Sequence, residues 1–160
     1  MTDAIISKES VTMSQKPSIG YVDLRVFAHA TEDLEKVLTA LRNLLPMDLS
    51  ETVLFEKNSL TGHHGNSITL FTTQLTEKKL LPAILENFGQ NMNALDKDDL
   101  NNNLARHIEK TNLYLRFDKQ AAFLGKIKFT QDDPIHFKIH FKNKSYEEIM
   151  EILKKSGLLP

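Results

Sequence analysis

A chain of 160 residues with 41% hydrophobic and 26% charged residues has the composition of a one-domain globular protein. Its formal net charge of −1 excludes a chain that is basic throughout, and its lack of cysteine excludes disulfides, thiolate zinc sites and thiol nucleophiles. No apolar run approaches the ~20 residues that span a bilayer. We therefore expect no membrane partner and a cytoplasmic location.

The N-terminal part of the sequence divides into a tail, a strand and a helix. Residues 1–18 are polar and unpatterned, so we expect a disordered tail ahead of a single α+β domain over residues 19–160. Residues 19–30 alternate apolar and polar side chains, which predicts a strand with one covered face. A helix is then predicted between Thr31, as its N-cap, and Pro46.

The middle of the sequence predicts a hairpin and two helices. Residues 51–57 and 67–75 are rich in β-branched and aromatic side chains, and the stretch between them contains glycine and asparagine, as a hairpin connection does. Apolar side chains at helical spacing predict a helix over residues 78–89, with Gly89 as its C-cap. A second helix is predicted over residues 97–110.

The last third of the sequence predicts three strands and a helix. Period-two alternation covers residues 113–117, 126–130 and 134–142. Ser145 and Glu148 form a capping-box pattern before a final amphipathic helix. The resulting order β-α-β-β-α-α-β-β-β-α predicts an α+β fold with a mostly antiparallel sheet that helices cover on one face.

Basic side chains gather on the polar side of the last three predicted strands. From Arg116 to Lys144 there are seven Lys or Arg and three Asp, a local net charge of +4. Such cations suit phosphates, and a nearby tyrosine suits a stacked base. The candidate RNA-binding residues are Tyr114, Arg116, Lys119, Lys126, Lys128, His136, Lys138, His140 and Lys142. The alternative is a solvated strand face whose lysines protect a sheet edge.

A histidine pair lies between two glycines in the sequence GHHGN, residues 62–66. On extended backbone the side chains of His63 and His64 point to opposite faces, which disfavours chelation of one ion. The chain also lacks the spacings of zinc-protease, P-loop and serine-hydrolase motifs. We therefore predict a hairpin tip whose His63, His64 and Asn66 contact a partner, with no metal site and no catalytic residue.

Three stretches of the sequence resemble a family of small archaeal proteins: LRVFAHATEDLEKVLTALRNLLP (24–46), GHHGNSI (62–68) and YLRFDKQAAFLGKIKF (114–129). The members of that family are predicted RNA-binding proteins or predicted exosome subunits. Their fold is similar to that of the large-subunit ribosomal protein that binds five-S RNA. The resemblance covers about residues 19–155 and implies RNA as the partner, no enzyme activity and no cofactor.

These observations favour a non-catalytic RNA-binding domain that is accessory to RNA processing, the exosome or ribosome assembly. RNA-processing or ribosomal proteins are then further candidate partners. The alternative is a protein–protein interaction or assembly module without direct RNA contact, including a homodimer, in which strand 134–142 pairs with another chain as an exposed edge. A metal-dependent hydrolase is a third hypothesis, which needs histidines from distant parts of the chain to converge with a carboxylate.

Overall fold

The computed structural model describes residues 18–160, so the predicted tail lies outside the described residues except for Ser18. Six antiparallel strands form one sheet in the order β2-β3-β1-β6-β5-β4. The strands are β1 (Ile19–His29), β2 (Glu56–Thr61), β3 (Ser67–Leu75), β4 (Ile108–Glu109), β5 (Asn112–Phe117) and β6 (Ile135–Phe141). The helices are α1 (Leu34–Asn43), α2 (Met47–Thr52), α3 (Leu81–Asn91), α4 (Ala94–Asn102), α5 (Leu104–His107), α6 (Lys119–Phe123) and α7 (Tyr146–Ser156).

The hydrophobic core lies between the helices and one face of the sheet. Along β1 the apolar side chains of Val22 and Leu24 are buried, whereas Arg25 on the opposite face is exposed. Phe88 of α3 packs on two strands of the sheet, with ring centroids 4.8 Å from Phe117 and 5.2 Å from Phe137. The predicted α+β fold with helices on one sheet face is therefore confirmed, and the other face is open.

The central position of β1 brings together strands that are distant in sequence. β1 pairs with β3 on one side and with β6 on the other, and β6 in turn pairs with β5. The prediction that residues 134–142 form an exposed edge strand is wrong, because β6 has a neighbour on both sides. Within residues 18–160, the edges of the sheet are β2 and β4.

Two boundaries in the first half differ from the prediction. The N-cap of α1 is Asp33 and not Thr31, since the Asp33 carboxylate accepts hydrogen bonds from the N–H groups of Glu35 and Lys36. The predicted strand over 51–57 begins only at Glu56, because Pro46 starts a short second helix that takes up residues through Thr52.

Three later elements also differ. The helix predicted over 97–110 is two helices, α4 and α5, separated at Asn103. Residues 126–130 form no strand, because the segment makes only isolated bridges and donates the Phe129 N–H to the Asp96 carboxylate. Gly89 is not a C-cap but a buried residue within α3, where a Cβ atom would overlap the carbonyl oxygen of Ser156 in α7.

The hairpin and the final helix follow the prediction. Residues 62–66 connect β2 to β3, with the Gly62 N–H bonded to the Asn66 carbonyl at 2.6 Å and Gly65 at a φ of +79°. The predicted capping box of Ser145 and Glu148 begins α7. No helix within residues 18–160 has the length and apolar content needed to cross a bilayer.

Candidate nucleic-acid interface

Three rows of polar and aromatic side chains cross the open face of the sheet. Residues paired directly across antiparallel strands point to the same side, so the strand register defines each row. The central row consists of Glu56, Thr72, Arg25, His136 and Arg116. The second row consists of Gln74, Asp23, Lys138 and Tyr114. The third row consists of Tyr21, His140 and Asn112.

The first two of these rows line a groove of about 810 Å³. Leu54 and Glu56 line it at the β2 side, and β5 lies at the other side. Leu54 is 84% exposed, so this side of the groove is open to a ligand. We call this surface the sheet groove, and the polar and aromatic side chains of the rows that line it are Asp23, Arg25, Glu56, Thr72, Gln74, Tyr114, Arg116, His136 and Lys138.

Two arginines determine the electrostatics of the central row. Burial lowers the pKa of His136 below its ordinary value, and the neighbouring guanidinium groups of Arg25 and Arg116 lower it further. The imidazole is therefore neutral at pH 7, while both guanidinium groups are charged. The Glu56 carboxylate lies at the β2 end of the row, two positions from Arg25. An anion between Arg25 and Arg116 would be attracted by two cations and could also receive a hydrogen bond from the imidazole.

The second row places a cation among aromatic side chains. Lys138 lies opposite Tyr114 in the sheet, and its ammonium lies 5.5 Å from the ring centroid of Tyr21. Contact with the Tyr21 side chain raises the pKa of Lys138, and Tyr114 and Asp23 raise it further. Lys138 is thus positively charged at neutral pH, next to two half-buried rings.

His140 is held by its neighbours in the third row. Its ring is stacked on Tyr21 with centroids 4.7 Å apart and an interplanar angle of 18°. Its Nδ1 lies 2.8 Å from the Asn112 Oδ1 and 3.4 Å from the Thr111 hydroxyl. The stacked pair fixes the orientation of the Tyr21 ring beside Lys138.

Lys119 lies in a separate ionic cluster. Its ammonium donates hydrogen bonds to the Phe27 carbonyl at 2.6 Å, to Glu32 at 3.0 Å and to Asp133 at 2.8 Å. Asp133 also lies 3.2 Å from the His29 ring. Burial alone would raise the pKa of Asp133, but Lys119 and His29 outweigh it and hold that pKa below its ordinary value.

The same cluster contains the one group of three side chains within residues 18–160 whose donor atoms are close enough for a metal ion, His29, Glu32 and Asp133. The ammonium of Lys119 already contacts both carboxylates. A metal ion at this position would have to displace that cation and overcome its charge repulsion. The cluster is therefore better described as an ion-pair network that connects β1, α6 and the segment before β6.

The structure separates the other candidate residues from the sheet groove. Lys126 and Lys128 are exposed on the segment that forms no strand, and Lys142 is exposed just after β6. His63 and His64 are exposed in the hairpin loop, with ring centroids 6.0 Å apart in an edge arrangement. Contact of the loop residues His63, His64 and Asn66 with a partner stays a prediction.

Sequence reasoning missed the part of the groove that β1 and β3 contribute. The alternation along β1 already places Tyr21, Asp23 and Arg25 on the polar face. This alternation does not predict the pairing of β1 with β6, which places the polar face of β1 beside His136 and Lys138.

The fold and the groove together define an α+β protein with a cationic and aromatic surface on an open antiparallel sheet. The chain belongs to the family described as RNA binding, whose sequence profile matches residues 21–141. This family is described by binding and not by a catalytic activity.

Individual relatives cover most of the chain. It is 35% identical to RNA-binding protein PAB1135 of Pyrococcus abyssi over 133 residues, which are 81% of this chain and 86% of that protein. It is 29% identical to MJ0213 of Methanocaldococcus jannaschii over 144 residues, 82% of this chain and 93% of that protein. Among solved structures, Mth689, a DUF54 protein from Methanothermobacter thermautotrophicus, is 30% identical with a TM-score of 0.69, covering 89% of this chain and 98% of that one.

Proposed function

We propose that this protein binds single-stranded RNA in the sheet groove and has no catalytic role of its own. The observation that carries the proposal is the central row, in which the guanidinium groups of Arg25 and Arg116 lie on either side of His136. Lys138 adds a third cation in the adjacent row. These three cations are the proposed phosphate contacts.

The aromatic side chains favour a single strand over a duplex. Tyr114 lines the groove and is half-buried, so part of its ring remains accessible, whereas the Tyr21 ring is already stacked on His140. Unpaired bases can stack on such rings, whereas the bases of a duplex are already stacked on one another. The family membership and the name of the Pyrococcus relative, an RNA-binding protein, support RNA as the ligand.

The proposed set of residues differs from the sequence-based set. Lys119 is excluded because its ammonium is bound by two carboxylates and a carbonyl. Lys126, Lys128 and Lys142 lie outside the groove lining. The resemblance in the sequence supports a cytoplasmic setting in RNA processing, the exosome or ribosome assembly, with proteins of those assemblies as further partners.

The test is fluorescence anisotropy with a labelled single-stranded RNA and a labelled duplex across a salt series. Three phosphate contacts on single-stranded RNA predict a slope of log K against log salt of about −2. The variant Arg25→Gln, Arg116→Gln, Lys138→Gln should lose both the affinity and most of this slope. The duplex should bind more weakly than the single strand.

The matched control removes the same charge elsewhere: Lys126→Gln, Lys128→Gln, Lys155→Gln. All three of these lysines are exposed and none lines the sheet groove. We expect the control to keep most of the wild-type affinity. An equal loss in both variants would show that the charge of the whole chain, and not the groove, determines binding.

A protein-interaction module remains the second candidate, and the edge strand β2 favours it. All six residues Glu56–Thr61 are exposed, and among the described residues β2 has one strand neighbour, β3. Such an edge can pair with a strand of another chain or of a second copy. Sedimentation of the purified protein as a dimer, or a partner that stays bound after nuclease treatment, together with no RNA affinity, would select this function.

A further inference from the structure

A second depression, of about 320 Å³, lies beside the sheet groove at the β5 side. Tyr114 and Arg116 line both cavities, so the two share a boundary. The remaining lining residues come from α4, α5 and the segment before β6, and they are Asp99, Asn103, Arg106, His107, Phe129 and Gln131. We call this depression the side pocket.

The side pocket has a fixed aromatic surface. The ring of His107 is stacked on Phe129 with centroids 5.8 Å apart and an interplanar angle of 26°. His107 Nδ1 lies 3.1 Å from the Tyr114 carbonyl, and the Phe129 N–H donates to the Asp96 carboxylate at 2.9 Å. A rigid aromatic surface beside a phosphate-binding groove is suited to stacking with a base.

The polar groups of the side pocket are one carboxylate, two guanidinium groups, two amides, the His107 imidazole and the Tyr114 hydroxyl. The amides are engaged: Asn103 Nδ2 donates to Asp99 Oδ1 at 2.9 Å, and Gln131 Oε1 accepts from Arg116 at 3.1 Å. Within residues 18–160, the structure shows no hydrogen bond to Asp99 Oδ2 or to the guanidinium of Arg106. A carboxylate acceptor and a guanidinium donor are thus available to a ligand.

Guanine is the base that matches this pair of groups. Its N1–H and N2 amino groups can donate to a carboxylate, and its O6 and N7 atoms accept from a guanidinium. Adenine and cytosine each offer one amino donor, and uracil lacks an amino group, so none pairs as fully with the Asp99 carboxylate. The volume of 320 Å³ is near the lower end of the ~300–1,000 Å³ range of small-molecule pockets, which suits one nucleotide.

We propose that the side pocket binds one unpaired guanine nucleotide of the RNA strand whose backbone lies in the sheet groove. Asp99 is the specificity-determining residue, Arg106 is the donor to the base, and His107 with Phe129 forms the stacking surface. This inference rests on the proposed function, because the groove must hold the strand that delivers the nucleotide.

The test compares a short uridine oligomer with oligomers that carry a single guanine at successive positions. At one position the guanine should raise the affinity of the wild-type protein about tenfold. Inosine at that position, which lacks the N2 amino group, should lose most of the gain. Asp99→Asn should no longer distinguish guanine from inosine at that position.

Asp98→Asn is the matched control, because it removes the same charge from the next residue of α4, which is exposed and lines neither cavity. It should retain the guanine preference. Uridine and guanine oligomers that bind equally, or a preference that Asp98→Asn loses as fully as Asp99→Asn, would overturn the side-pocket assignment alone. Failure of the wild type to bind any oligomer would overturn the proposed function and this inference together.

Discussion

Replacing Lys119 with methionine tests whether this residue stabilises the fold through its ion pairs or contacts RNA, as the sequence predicts. Its side chain is 11% exposed and its ammonium contacts Phe27, Glu32 and Asp133. Methionine keeps much of the aliphatic stem but removes all three hydrogen bonds. We therefore expect Lys119→Met to lower the free energy of unfolding and to leave RNA affinity unchanged at temperatures where the variant is folded.

The size of the expected loss in unfolding free energy follows from the solvent exposure of the two carboxylates that Lys119 contacts. Breaking a fully buried ion pair costs about 3–5 kcal/mol. The carboxylates of Glu32 and Asp133 are 29% and 41% exposed, so water can solvate them once the ammonium is removed, and we reduce the cost to about 2 kcal/mol. With a slope in urea of about 2 kcal/mol/M, the unfolding midpoint falls by about 1 M.

Urea denaturation followed by circular dichroism measures this shift, with the exposed Lys126→Met as the control that should leave the midpoint unchanged. The pKa of Asp133 is lower in the folded chain than its ordinary value of 3.8. The stabilisation of the ionised form is thus present above that ordinary value and is lost as the pH falls through the lower folded value. The difference between variant and wild type should shrink in acid. A variant of unchanged stability that has lost RNA affinity would refute this reasoning and return Lys119 to the phosphate contacts.

Two further predictions concern packing and pH. Gly89→Ala should lower the free energy of unfolding by about 1–3 kcal/mol in spite of the better helix propensity of alanine, because the new methyl group meets the backbone of Ser156. Gln90→Ala, at the exposed next position of α3, should change the free energy of unfolding little. Equal urea midpoints for the two variants would contradict the close approach of Gly89 to Ser156. The depressed pKa of His136 leaves it neutral at pH 7, and a bound phosphate would raise that pKa, so RNA affinity should increase as the pH falls from 7 toward 5. His136→Gln should remove this pH dependence in the anisotropy assay, and its persistence in the variant would assign the titration to another group.

The sequence predicts the elements of this fold better than their arrangement. Alternation along β1 and β6 gives the correct polar side of each strand, since burial of lysine or histidine on the helix side would be costly. Residues 126–130 alternate in the same way but make only isolated bridges, and the Phe129 N–H is donated to the Asp96 carboxylate and not to a neighbouring strand. Alternation reports which side of a segment is buried and does not identify the neighbour that buries it.

The same limit explains why the sequence did not predict all residues of the sheet groove. The basic residues in the last third of the chain predict Lys126 and Lys128 as RNA contacts. The lining of the groove instead includes Arg25, which is more than 100 residues before its neighbour His136 in the sequence. The spacing of residues within one segment cannot reveal a row formed across strands. The loop glycines of the hairpin are a contrasting case, because the turn that they allow is set by neighbours in the sequence.

The central row also bears on the alternative that the open face is merely solvated. Arg25 and Arg116 are each paired directly across the sheet with His136, so three basic side chains occupy adjacent positions. Basic groups placed side by side destabilise a sheet when all are charged, and here burial and the two arginines keep the imidazole neutral. Between Arg25 and Arg116 an anion would lower the free energy of this face, and in the proposed function a phosphate of the RNA strand is that anion.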